Sequence, residues 1–376
     1  MKIRKVDVFT FSIPYRSVTV SGAAISEGTN RILVRIETDN GLEGVGEIPM
    51  FQAGIPEVIR EVITPALIDE DPHNIEGVTQ KVLKHMHARL YERSIMIAFA
   101  PAEIAMWDVI GKAAGVPVHQ LIGGMLRSKV PMAGIVFSGK PEKRASQAVD
   151  MVKQGFQTLK MKVGVNIKED ILGIHAVREA IGPDIELRVD PNQTWAPGTA
   201  KRVLKQVESC DLQYMEQPIR LTDLQGLADL RAGTSIPMAI NESAYIPSEV
   251  LEVIRTRCAD VILVDPMQAG GIWIAKKICA LADAAGLPVS LHTSADTSIG
   301  LSVHLAMAAS TPNLIYATDT LFYQNADDIV KSPLVLKEGV CEVPTKPGLG
   351  VELDPQALKR AVDRGLMKRD WIRQWI

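Results

Sequence analysis

The chain has 376 residues, of which 47% are hydrophobic and 23% charged, and a formal net charge of −3 at pH 7. That length suffices for two domains or for one large barrel with an appendage, and so small a net charge provides no field to draw nucleic acid or an acidic membrane. The four cysteines, Cys210, Cys258, Cys279 and Cys341, are scattered with no C-x-x-C pair, which argues against a disulfide framework or a zinc site.

The N-terminus, Met1-Lys-Ile-Arg-Lys-Val-Asp, lacks the apolar core of a signal peptide. No stretch approaches about 18 uninterrupted apolar residues, so no transmembrane helix is expected. A cytoplasmic protein with reduced thiols is the expectation. Residues 2–12 alternate in polarity and predict a strand, as do residues 31–38. Asp39-Asn-Gly41 then predicts a turn, and Leu42 to Ile48 a returning strand. Between the first two strands, Ser17 to Gly28 is small and polar with two glycines, which predicts a mobile loop. Helical periodicity follows over roughly 56–68, 75–90 and 97–114, the last ending near Gly111, Gly115 and the stop signal Pro117. Residues 1–125 therefore read as an α+β capping unit.

From Pro131 the pattern changes to short apolar runs alternating with amphipathic segments. Strands are expected at 132–137, 157–163, 185–190, 212–216, 236–241, 260–265, 287–292 and 314–318. The clearest helices between them are 142–154, 168–181, 198–209, 247–257 and 272–285. Eight strand–helix units predict a (β/α)8 barrel over 126–320. A doubly wound open sheet would call for a glycine fingerprint after an early strand, and there is none. The tail, 321–376, turns at Gly339 and at Pro347-Gly-Leu-Gly350 and is expected to return to the capping unit.

The polar residues on this frame carry the chemistry. In Thr158-Leu-Lys-Met-Lys-Val-Gly164, Lys160 and Lys162 share one strand face, while Leu159, Met161 and Val163 take the other. Two ammonium groups on a buried strand need anions nearby. Asp190 ends the third strand, Glu216 the fourth, and Glu242 follows the fifth; Asp265 ends the sixth and His292 the seventh. Barrel strand ends converge on one mouth, where active sites lie. Three carboxylates there form a hard, all-oxygen site suited to Mg²⁺, with Mn²⁺ as a substitute. Balancing two lysines would not by itself call for acids on three successive strands. Asp265 and His292, on neighbouring strands, can hydrogen-bond, which fixes the tautomer of the imidazole and raises its basicity. The other histidines, His73, His85, His87, His119, His175 and His304, fall on helices or loops and are set aside.

At these positions the chain resembles the enolase superfamily, in its mandelate racemase-like branch. The shared features are Lys160-x-Lys162, Asp190-x-Asn192, Glu216-Gln-Pro218, Glu242, Asp265 followed by Gly270-Gly271, His292, and the helix segment Ala102-Glu-Ile-Ala-Met-Trp-Asp108 before Gly111-Lys112. The muconate lactonizing branch is similar in length and in the tail from Asp327-Asp328-Ile329. That branch carries a Lys on the sixth strand where this chain has Asp265, and an Asp before Glu242 where this chain has Asn241. The resemblance implies a homo-oligomer acting on a small carboxylic acid. It implies removal of the proton α to that carboxylate to give an enediolate, by the base-and-Mg²⁺ scheme known for the superfamily. Asp190, Glu216 and Glu242 would hold the metal, Lys160 would supply a fixed cation, and Lys162 and His292 would exchange protons on opposite faces, with Asp265 behind His292. Lys162 must lose a proton to serve as base, and a neighbouring cation favours that. Asn192 and Asp319 are candidate substrate contacts; Asp319 stands near where the branch often has a Glu.

Two outcomes stay open, racemisation or epimerisation on one side and dehydration of a hydroxy or sugar acid on the other. A muconate-type cycloisomerase or dipeptide epimerase is the alternative on the same scaffold. A Schiff-base aldolase using Lys162 and a non-catalytic relative are further alternatives. Ser17–Gly28 and Met50-Phe-Gln-Ala-Gly54 carry little Arg or Lys, which favours a substrate smaller or less polar than a diacid sugar.

Overall fold

The computed structural model describes residues 1–21, 24–50, 53–86, 92–293 and 295–371. The first region is an antiparallel sheet of β1 (Ile3–Ser21), β2 (Ala24–Thr38) and β3 (Glu43–Pro49). The expected turn is present: Gly41 adopts φ +79° and its amide donates to the Thr38 carbonyl at 3.0 Å, a backbone conformation glycine adopts without cost.

In place of the expected loop over Ser17–Gly28, β1 runs on to Ser21 and β2 begins at Ala24, with Thr19 opposite Ser26 and Val20 opposite Ile25. The physical reason is a partner from the far end of the chain: β14 (Arg369–Trp371) pairs with β2 at Ala24 to Ser26, so these three residues lie inside a sheet. Residues 22 and 23 of that segment, 51 and 52 of the Met50–Gly54 loop, and 87–90 of the expected 75–90 helix lie outside the described residues.

Helical turns cover 55–67, and two longer helices span Ile75–Met86 and Glu92–Ala114. Glu92–Ala114 is long and apolar enough to cross a bilayer by length and composition, yet 83% of its most apolar window is buried inside the protein. It is the core helix of the cap. A Cβ at Gly44 or Gly46 of β3 would collide with the carbonyls of Ala105 or Pro101 on that helix, so only glycine allows the helix backbone to lie directly on the strand.

The second region is a closed barrel of parallel strands: β4 (Lys129–Val136), β5 (Thr158–Lys162), β6 (Glu186–Asp190), β7 (Tyr214–Glu216), β8 (Met238–Ile240), β9 (Val261–Val264), β10 (Val289–Leu291) and β11 (Thr318–Asp319). β11 pairs with β4, and a bridge between Leu314 and Val289 completes the ring. The eighth strand thus begins later than the expected 314–318. The Leu314 carbonyl accepts from Arg127 instead of continuing a ladder. Short runs such as Val261–Val264 are apolar throughout because both faces are covered.

In the tail, β12 (Leu336–Lys337) and β13 (Val340–Glu342) form a hairpin against the start of β4. Helix Pro355–Asp363 follows, and then β14 on the capping sheet. All four cysteines are buried and free.

Candidate active site

The register of β5 against β6 sets Lys162 beside Asp190 and Lys160 beside Arg188. Leu159, Met161 and Val163 are fully buried on the opposite face. The Lys160 ammonium sits 2.6 Å from Glu216 Oε2, 2.7 Å from Asp319 Oδ2 and 3.2 Å from Asp190 Oδ2. Lys162 Nζ lies 2.5 Å from Asp190 Oδ2 and donates to Asn192 Oδ1 at 3.1 Å. Asn192 in turn donates its backbone amide to Asp190 Oδ1 at 2.8 Å and its side-chain amide to Glu242 Oε1 at 3.4 Å. Asn192 holds φ +48° and Gln193 +66°, left-handed backbone that non-glycine residues adopt at a cost and that clusters at functional sites. Asn241 is tied up separately, its Oδ1 accepting from the Tyr245 hydroxyl at 3.1 Å.

Arg188 was not singled out from sequence, although it stands two residues before Asp190 and so shares its face. It is fully buried beneath the cluster. Its guanidinium donates to Asp319 Oδ1 at 3.2 Å and to the Ala317 carbonyl at 2.8 Å, and stacks 4.8 Å from the Tyr214 ring. Arg93 on the capping helix is another such residue; it donates to the Glu242 carbonyl and pairs with Glu249 at 3.0 Å.

Charge compensation fixes the protonation pattern. Burial pushes the Lys160 ammonium down, but Asp319, Glu216 and Asp190 together hold it well above its ordinary value. Burial pushes Asp190 up, and Lys162 and Lys160 more than reverse it. Glu216 and Glu242 go the other way: burial, then the Asp190 charge, raises both.

Across the mouth, Asp265 and His292 follow β9 and β10. Asp265 Oδ1 accepts from the Met267 amide at 2.9 Å; Oδ2 accepts from Gln268 at 2.8 Å and lies 3.2 Å from His292 Nδ1. Burial lowers His292, but the Asp265 hydrogen bond outweighs it and the imidazole stays above the usual 6.5. Two strands of the ring separate β5 from β10 one way and four the other, so Lys162 and His292 approach the mouth from different sides.

Among the described residues, no three His, Cys, Asp or Glu side chains stand at metal-binding spacing; the Lys160 ammonium takes the position between Asp190, Glu216 and Asp319. The donor set nevertheless fits a hard divalent cation. Glu216 Oε1 and Glu242 Oε2 are buried and accept no hydrogen bond among the described residues, an expensive state for a carboxylate.

A (β/α)8 barrel with a separate cap, and with lysines, acids and an Asp–His pair at its strand ends, has the architecture of the enolase superfamily. The chain belongs to the mandelate racemase/muconate lactonizing enzyme family within it. Residues 5–123 match the mandelate racemase / muconate lactonizing enzyme N-terminal domain, and residues 143–357 match the enolase C-terminal domain-like family. The chain is similar to the N-succinyl-L-Arg/Lys racemase of Bacillus cereus, 31% identical over 369 residues, 96% of this chain and 97% of that protein. A crystal structure of the N-succinyl Arg/Lys racemase from Bacillus cereus superposes with a TM-score of 0.90 at 29% identity, over 99% of this chain and 100% of that one. A dipeptide epimerase from Enterococcus faecalis, crystallised with Mg and the dipeptide L-Leu-L-Tyr, superposes with a TM-score of 0.86 at 30% identity, over 94% of this chain and 100% of that one. An arabinonate dehydratase of Saccharolobus solfataricus is 31% identical over 329 residues, 85% of this chain and 87% of that protein. The family is one of enzymes, and its members related to this chain include racemases, epimerases, cycloisomerases and a dehydratase.

Proposed function

We propose that this enzyme removes the proton α to the carboxylate of a small hydroxy or sugar acid, giving an enediolate that is reprotonated or loses water. The observation that carries this reading is the Asp265–His292 pair, 3.2 Å apart, facing the mouth from a different side than Lys162. A base and an acid on two sides serve racemisation, epimerisation and dehydration alike.

Asp190, Glu216 and Glu242 would hold Mg²⁺. Bound there, the ion would offset the negative charge that develops on the substrate carboxylate. Lys160 adds a fixed positive charge at the same place, and its bonds to Asp319 and Glu216 keep it ionised. Asp319 is assigned to holding Lys160 with Arg188, since its carboxylate is already engaged by both. Asn192 bridges Lys162 and Glu242 and is assigned to orienting the substrate between them. Lys162 takes the α-proton. His292, its Nδ1 engaged by Asp265, uses Nε2 either to return a proton on the other face or to protonate a departing β-hydroxyl. We further take 1–125 as the cap, 126–320 as the barrel and 321–376 as the returning tail.

The test is a panel of 2-hydroxy acids, sugar acids, dipeptides and muconate, incubated with enzyme and MgCl2 in D2O. NMR reads α-deuteration, and a 2-keto acid product reads loss of water. Deuteration or dehydration of a hydroxy or sugar acid, abolished by EDTA, is expected. Folded enzyme that acts on no hydroxy or sugar acid overturns the reading. Turnover confined to dipeptides or muconate, and kept in His292→Asn, would move the chain to the cycloisomerase or dipeptide epimerase alternative.

A further inference from the structure

Gln217, the residue after Glu216, is fully buried, and nothing in the proposed chemistry uses it. Its side chain reaches from the end of β7 to the loop that follows β8. Oε1 accepts from the amides of Asn241 and Ser243, both at 3.2 Å. These are the two residues that flank Glu242. Nε2 donates to Ser243 Oγ at 2.9 Å and to the Ile219 carbonyl at 3.3 Å. The Ser243 hydroxyl in turn donates to the Leu221 carbonyl at 2.8 Å. Both lone pairs of the Gln217 oxygen and both hydrogens of its nitrogen are thereby used.

The main chain of Gln217 adds two more ties. Its carbonyl accepts from the Gln193 amide at 2.9 Å, and its own amide donates to the Ala239 carbonyl at 2.9 Å. Gln193 lies in the loop that starts at Asp190, and Ala239 lies on β8. One residue therefore joins the three segments that carry Asp190, Glu216 and Glu242. Its backbone is left-handed, at φ +33°, a conformation that costs a non-glycine residue free energy. Glycine would make that turn without the cost, and an apolar side chain would fill the space without a buried amide to satisfy. The hydrogen bonds to the loop around Glu242 are what glutamine alone supplies here.

We propose that Gln217 is a positioning residue for the metal site: it fixes the backbone of Glu242 against Glu216 and Asp190, and so sets which divalent ion the three carboxylates hold best. Glu216 Oε1 and Glu242 Oε2 accept no hydrogen bond among the described residues, so the backbone beneath them has to supply the order. Mg²⁺ demands near-octahedral ligands at about 2.0–2.1 Å, whereas Ca²⁺ tolerates irregular shells at about 2.3–2.6 Å. A site with one carboxylate set loose therefore loses more affinity for Mg²⁺ than for Ca²⁺.

The inference rests on the assignment of Mg²⁺ to Asp190, Glu216 and Glu242, and its test separates the two. The full chain is stripped with EDTA, and Mg²⁺ and Ca²⁺ are titrated without substrate into wild type, Gln217→Met and Gln217→Gly by calorimetry. Arg93 still holds the Glu242 carbonyl from the cap in both variants, and circular dichroism checks that they are folded. In Gln217→Met, Mg²⁺ affinity is expected to fall by about 10–100-fold, and Ca²⁺ affinity by clearly less. A general loosening of the fold would not separate the two ions. Should Gln217→Met fail to fold, Gln217→Gly relieves the left-handed backbone while removing the same hydrogen bonds, and the same separation is expected of it. Mg²⁺ affinity that is unchanged, or that falls no more than Ca²⁺ affinity, overturns the role of Gln217 and leaves the metal assignment standing. A wild type that binds no Mg²⁺ overturns both.

Discussion

On the side of the mouth that runs from β11 through β4 to β7, buried charge is packed as a cluster: Asp190, Glu216 and Asp319 crowd around Lys160, with Lys162 and Arg188 at its edges. All six come from barrel strands. On the β9–β10 side, charge is strung out as a file, from His292 through Asp265, His304 and Asp296 to Arg31 and Glu47, and the last two belong to the cap. A cluster with several anions around one cation concentrates negative charge at one place. In the file each charged group between the two ends has one charged neighbour on either side. On the function proposed above, the first would hold the metal and the base, and the second the acid/base group His292 with Asp265 behind it.

The largest expected effect breaks the symmetry between the two sides. Lys162→Ala should slow exchange of the α-proton that faces Lys162 by about 10³-fold, and spare exchange in the enantiomer whose α-proton faces His292. His292→Asn should keep exchange of the proton that Lys162 removes while losing inversion or loss of water. Equal loss of exchange in both variants would break the two-sided picture. The pH profile sharpens it. His292 is held above 6.5 and must be neutral to act as base. The direction it initiates should therefore accelerate as pH rises through a midpoint above 6.5, and Asp265→Asn should move that midpoint down.

The next effect concerns the cluster. Lys160→Met leaves three buried carboxylates without their shared cation. The loss in EDTA should be about 3–5 kcal/mol, the usual cost of leaving buried charges unpaired. Saturating MgCl2 should recover much of that loss, because an ion that binds only the folded chain stabilises it. Urea unfolding of wild type and variant in both conditions measures it. A gap of equal size with and without Mg²⁺ would place the cation away from Lys160.

How much of this could be read beforehand follows from the physics of each element. The barrel strands were legible because a parallel strand covered on both faces is a short apolar run, as Val261–Val264 is. The strand-end acids were legible because each stands at or within two residues of a strand's end. The strand over Ala24–Ser26 was not, since the strand that pairs with it is Arg369–Trp371, at the other end of the chain. Local composition carries no trace of so distant a partner. His304 was passed over for a different reason. All 13 residues of its helix are buried, so periodicity gives no polar face and no indication of which side meets the mouth. Arg188 could have been found: its spacing from Asp190 on one strand is the argument used for Lys160 and Lys162.

A third link between cap and barrel uses no cation, and the smallest prediction turns on it. Glu103, in the middle of helix Glu92–Ala114 and fully buried, accepts from the amides of Ile272 and Trp273 at 2.7 and 2.8 Å and from the Trp107 indole at 2.8 Å. Those amides open helix Ile272–Ala284, where backbone donors have no partner of their own. Gly271 precedes them at φ +109°, and a Cβ there would run into the Glu103 carboxylate. Burial raises this carboxyl from 4.5 to about 7 against the pull of its three donors. An acid raised in the folded state stabilises fully below its ordinary value and loses that contribution as pH climbs through the raised one. Glu103→Gln does not titrate. The stability of wild type relative to the variant should therefore fall between pH 4.5 and about 7, by on the order of 3 kcal/mol. Urea midpoints at about pH 5 and about pH 8 read the difference. A difference that grows with pH would mean that the three donors outweigh burial, and that the carboxylate joins cap to barrel as an anion held by amides and an indole alone.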